Sequence, residues 1–119
     1  MTTAALVRDT SQRVHVMAAR WVMAHDDTVG AAIELSAWQD RTVQLFGTWD
    51  SATVVIQGSN ELVPTTWATL RDPAGNNLSF TADGLKAILE LPRWIRPSKS
   101  GGVASDAVTV IINARGDRP

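Results

Sequence analysis

Cysteine and tyrosine are absent from the 119 residues. Without a thiol, no disulfide framework, thiolate metal site or thiol nucleophile is available. Long apolar runs are also missing. No stretch approaches the roughly 20 residues that a membrane helix requires, so no membrane partner is expected. A net charge of −1 argues against nucleic acid as a partner. Met1–Arg13 has no basic start followed by an apolar segment, which leads to the expectation of synthesis in the cytoplasm.

Catalytic signatures are equally scarce. There is no HExxH, no GxSxG, no pair of acids at a definable distance, and no helix after Gly101-Gly102 to make a phosphate cradle. His15 and His25 stand ten residues apart with no local ligand spacing, and read as a strand residue and a turn residue. Asp72, Asn76 and Asn77 offer oxygens without the acidic alternation of a calcium loop. The expectation is therefore a protein that is not an enzyme, with no catalytic residue, metal or cofactor.

What the chain does contain is alternation. Residues are 45% hydrophobic and 19% charged, enough for one folded domain. Val43 and Leu45 alternate with Thr42 and Gln44, and Ala52, Val54 and Ile56 with Thr53, Val55 and Gln57. Such period-two spacing in β-branched residues predicts half-buried strands. Val108, Val110 and Ile112 predict a closing strand over 107–114, and Ile33, Leu35 and Ala37 an earlier one. In 12–24, strand and helix spacings coexist; strand is favoured, with a helical turn near Trp21 left open. Residues 1–25 are expected to form an N-terminal arm or first strand, and 26–119 the body of a single domain.

Turns are predicted at Gly47–Ser51, at Gly58-Ser59-Asn60 and at Asp72–Asn77, where Pro73 pre-sets φ and Gly75 accepts positive φ. His25–Gly30 reads as a polar break. Asp83 is expected to cap a short helix through Leu85, Ile88 and Leu89 that Pro92 stops. Ser98–Ser105 reads as a flexible loop. The sum is an all-β protein: an antiparallel β-sandwich of jelly-roll type with about seven or eight strands and at most one short helix.

Charge is uneven along the chain. Residues 26–85 carry two basic and eight acidic side chains, and residues 86–119 six basic and three acidic. Such an acidic body with basic ends suits either an ordinary solvated surface or complementary surfaces on another protein. Among the five tryptophans, Trp49 falls in a turn and Trp38 on the polar side of its strand. Both suit contact surfaces, or else close the ends of the sandwich. Trp67 reads as core. Arg93 and Arg96 flank Trp94 and Ile95, a combination found at interface anchors and equally in rings stacked within a fold.

The segments DRTVQLFGTW, ATVVIQGSN, WATLRDPAGNNLSFTADG, PRWIRPSKSGG and VTVIINAR resemble a family of small proteins encoded among phage and prophage head genes. These are capsid decoration or cement proteins, β-sandwich modules on the outside of the shell. In this resemblance Gly58-Ser59-Asn60 and Trp67 match a hairpin signature and Arg93–Pro97 a strand signature. It implies a virion structural protein that binds the major capsid protein and self-associates as a dimer or trimer. Trp38, Trp49, Arg93, Trp94 and Arg96 are the candidate partner or oligomer contacts. Gly58, Ser59, Asn60, Trp67, Asp72 and Gly75 are the structural turn and core positions. QGSN…W is also similar to discoidin-like sandwiches, which implies a carbohydrate- or receptor-binding module with Trp49, Asp50 and Asn60 as the platform. A tail or connector component of the virion is the third alternative.

Overall fold

The structure, a computed structural model, describes residues 2–9, 16–35, 38–102 and 106–116. Twelve strands run through them: β1 (Thr2–Ala4), β2 (Leu6–Asp9), β3 (Val16–Ala24), β4 (Asp27–Gly30), β5 (Ile33–Glu34), β6 (Trp38–Thr48), β7 (Ala52–Ser59), β8 (Ala68–Thr69), β9 (Ser79–Phe80), β10 (Gly84–Ala87), β11 (Trp94–Gly101) and β12 (Ala107–Gly116). No helix occurs among the described residues. One sheet has the order β1-β4-β11-β7-β8, with β5 on β11 and β9 on β7; the other has the order β10-β6-β12-β3-β2. The series β4-β11-β7-β8 and β3-β12-β6-β10 are the two interleaved halves of a jelly roll. Taking fragments that share one partner together leaves eight positions in the roll, and β1 and β2 add one strand to each sheet.

Period-two alternation puts Met17, Ala19, Trp21 and Met23 of β3 against Val43 and Leu45 of β6 and Val108, Val110 and Ile112 of β12. Val54 and Ile56 of β7 and Ile95 of β11 face them from the other sheet, and all of these are buried. The interior between the sheets is therefore a packed apolar layer, which leaves the outer faces and the loops for contact with other molecules.

Of the arm or first strand expected over 1–25, the described residues form strands: β1 pairs parallel with β4, β2 antiparallel with β3 and β3 antiparallel with β12, so β1 and β2 together serve both sheets. Three segments differ from the sequence-based expectation. Residues 84–87 are a strand on β6 rather than a helix, because the edge of β6 offers backbone partners that an isolated turn of helix lacks. Asp83 caps no helix; its carboxylate instead accepts from the Gly47 amide (3.2 Å) and Trp49 Nε1 (2.8 Å). Residues 98–101, expected as loop, continue β11 against β7 out to Gly101↔Ala52, and the polar break at 25–30 contains β4. Residues 103–105, the remainder of that expected loop, lie outside the described residues, as do His15 and Ala37.

Candidate interaction surfaces

The pairing of β11 with β7 gathers most of the sequence-predicted site. In this register Trp94 sits opposite Ser59, Ile95 opposite Gly58 and Arg96 opposite Gln57. Gly58 and Ser59 are thus in a strand and not in a turn. Gly58 is required by close approach: a Cβ there would lie 2.5 Å from Pro92 Cγ and 2.9 Å from Leu70 Cδ2. Asn60 starts the loop and accepts from the Arg93 amide through Oδ1 (2.9 Å). The Arg93 guanidinium pairs with Glu34.

Trp67 is half-buried and lies outside the core. Its ring carries the Arg96 guanidinium 4.1 Å from the centroid, and Arg96 Nε also donates to Gln57 Oε1 (2.9 Å). Burial in this stack lowers the Arg96 pKa. Trp94 is half-buried, and its Nε1 is buried without a hydrogen-bond partner.

Between Asn60 and Trp67 the loop is fixed by Glu61, which reads in the sequence as an isolated carboxylate. Its oxygens accept from the Thr66 amide, the Thr65 amide (2.9 Å), the Thr65 hydroxyl (3.1 Å) and the Ser59 hydroxyl (3.3 Å). The Thr66 amide, followed by that of Thr65, holds the carboxyl below its ordinary range. At the tip, Leu62 and Val63 are each 72% exposed. A closed polar network thus holds two adjacent apolar side chains out in water. The acid four and five residues before a Thr-Thr pair is the signal for this loop, and it carries meaning only once the loop is known to reverse on itself.

The other predicted residues lie elsewhere. Trp38 opens β6 and Trp49 follows its far end; both pack against the core as sandwich closures. Trp49 is turned toward Asp83, and the length of β7 separates Trp49 and Asp50 from Asn60. Asp72 caps its turn as expected, accepting from the Ala74 (2.9 Å) and Asn76 (3.0 Å) amides, with Gly75 at φ 90°. Asp72's pKa is lowered, by the Asn76 amide above all.

Two buried cations have no sequence signature. Arg41 donates to the carbonyls of Trp38 (3.1 Å), Pro92 (3.0 Å) and Leu35 (2.6 Å), and burial brings it down to about 10. It borders an open pocket of about 340 Å³ with Ile88, Leu89 and Leu91. Lys99 meets Asp106 at 2.8 Å. Among the described residues no three or more His, Cys, Asp or Glu side chains are grouped to hold a metal ion.

No family model matches the chain, and no curated protein matches it. Among solved structures, the Schizosaccharomyces pombe Cnp3 cupin domain aligns over 94% of this chain and 60% of its own length, with TM-score 0.48 and 8% identity. The chain therefore spans less than two thirds of that structure.

Proposed function

We propose that the protein is a non-enzymatic virion component, a decoration protein that binds the outside of an assembled major capsid shell and acts there as a clamp. Its station is the capsid surface, after synthesis in a bacterial cytoplasm. The sequence resemblance motivates this reading, and the loop 60–67 carries it. Leu62 and Val63 stand 72% exposed on a loop that Glu61 holds in place. Fully burying each would contribute about 1.5–3 kcal/mol before the cost of association. Because the loop is already ordered, little is lost in fixing it on a partner. A shell presents many equivalent sites, so a modest contact suffices when several are engaged together.

The test is co-sedimentation with undecorated shells, with a glycan array run alongside. The wild-type chain should pellet with shells, and Leu62→Ser/Val63→Ser should weaken binding at least about tenfold while leaving the fold unchanged. Normal decoration by that variant would remove the loop from the interface. A glycan signal without shell binding would favour the carbohydrate- or receptor-binding alternative, and binding to tails alone the connector alternative.

A further inference from the structure

The outer face of the β10-β6-β12-β3-β2 sheet carries an apolar pattern of its own, on the sheet opposite to the one that carries the 60–67 loop. One row across the five strands reads Leu85, Gln44, Ile111, Arg20, Val7. The next row reads Phe46, Thr109, Val22. Four of these apolar side chains are well exposed: Leu85 at 65%, Val7 at 56%, Val22 at 46% and Phe46 at 41%. In these rows Arg20 is the one charged side chain, whereas the solvent face of a lone sandwich is normally polar.

Both rows are nearly palindromic about β12. Apolar Leu85 and Val7 occupy the two ends of the first, polar Gln44 and Arg20 the positions inside them, and Ile111 the middle. In the second, Phe46 and Val22 flank Thr109. A surface that reads alike from both sides fits a copy of itself turned by a two-fold axis along β12.

We infer that two copies of this chain pack face to face through this sheet, the axis running along β12. Val7 of each copy then covers Leu85 of the other, Val22 covers Phe46, Arg20 meets the Gln44 amide oxygen, and the two Ile111 side chains meet on the axis. Face-to-face sheets keep their strands within about 30° of each other, which preserves these rows over the centre of the contact. The area is that of a modest interface. Three central strands paired over about nine residues and two edge strands of four, at about 3.4 Å per residue and 4.8 Å between strands, span roughly 570 Å². That is near the lower end of the roughly 600–1,000 Å² that specific interfaces cover on each partner, which fits a dimer in equilibrium with monomer.

The inference is independent of shell attachment, because its test uses the purified full-length chain without shells. Sedimentation equilibrium from micromolar to near-millimolar concentration should show a monomer–dimer equilibrium. Val22→Lys alone and Phe46→Glu alone should each raise the dissociation constant at least about tenfold. The double variant should recover most of that loss, because the axis places residue 22 of one copy on residue 46 of the other. Circular dichroism checks that each variant keeps the wild-type fold. A wild-type chain that stays monomeric overturns the inference without any variant. Single variants that dimerise normally, or a double variant as weak as the singles, overturn the face or the axis.

Discussion

Two tryptophans show how differently the same side chain is used. Trp21 is fully buried, donates from Nε1 to the Ala31 carbonyl (2.9 Å), and leaves no room for a Cβ at Gly30, which would lie 2.6 Å from its Cδ1. Trp94 is half-buried on β11 and its Nε1 has no partner. Replacing the indole of Trp21 removes ring volume from a packed core and strands a carbonyl. Trp21→Phe should therefore cost about 2–4 kcal/mol. Trp94→Phe gives up a donor that already goes unpaired, and should cost less than about 1 kcal/mol. Urea denaturation of the two variants reads the difference directly; equal losses would mean that the Trp94 indole is held by more than its ring. The strand spacing of Val14 and Val16 groups the even positions together, whereas the structure buries the odd ones, Met17, Ala19, Trp21 and Met23. Nothing local distinguishes a satisfied indole from an orphaned one either, since Ala31 reaches Trp21 only when β3 and the end of β4 are brought together.

At the scale of elements, the 60–67 loop depends on one ionised carboxylate. The Thr66 and Thr65 amides lower the Glu61 pKa in the folded loop relative to the free side chain. A depressed pKa means that the stabilisation is complete above the ordinary value of 4.5 and is lost as pH falls through the lower, folded one. The Thr65 and Thr66 amide resonances should therefore hold constant from neutrality down to that range and shift together in acid. Glu61→Gln should shift them at neutral pH and abolish the acid transition; an unchanged transition would assign it to another group. The strands with clean alternation, over 42–46, 52–57 and 108–113, were legible in the sequence because one wet face and one dry face leave a local record. The strand at 84–87 was not, since Leu85, Ile88 and Leu89 also fit a helix and only the free edge of β6 decides. The strand at 98–101 was hidden by Ser and Gly, which pair in β11 through register with β7 and not through their own propensity. For the same reason the meeting of Arg93, Trp94 and Arg96 with Asn60 and Trp67 was legible as a set of residue types but not as one surface.

For the molecule as a whole, the open question is what fastens the two sheets where alternation cannot. At one end Lys99, on β11 of one sheet, reaches across to the other. Its ammonium donates to the Ala24 carbonyl at the end of β3 (2.7 Å), the His25 carbonyl (3.2 Å) and the Asp106 carboxylate just before β12 (2.8 Å). Both charged side chains are essentially inaccessible, at 2% and 0% exposure. Three acceptors complete the ammonium, whereas Asp106 Oδ2 has no partner and lies where a Cβ on Gly102 would stand, 1.8 Å away. A buried pair of this kind contributes little net stability over an apolar replacement, but removing one partner leaves a charge stranded in a dry site. Lys99→Met should therefore cost about 3–5 kcal/mol, whereas Lys99→Met/Asp106→Leu should recover most of it. Denaturant unfolding of the two single variants and the double closes the cycle. Additive losses would show that the two side chains act separately. A strong positive coupling would mean that the two charges act as one unit, each costly alone and the pair worth little over an apolar pair in the same place.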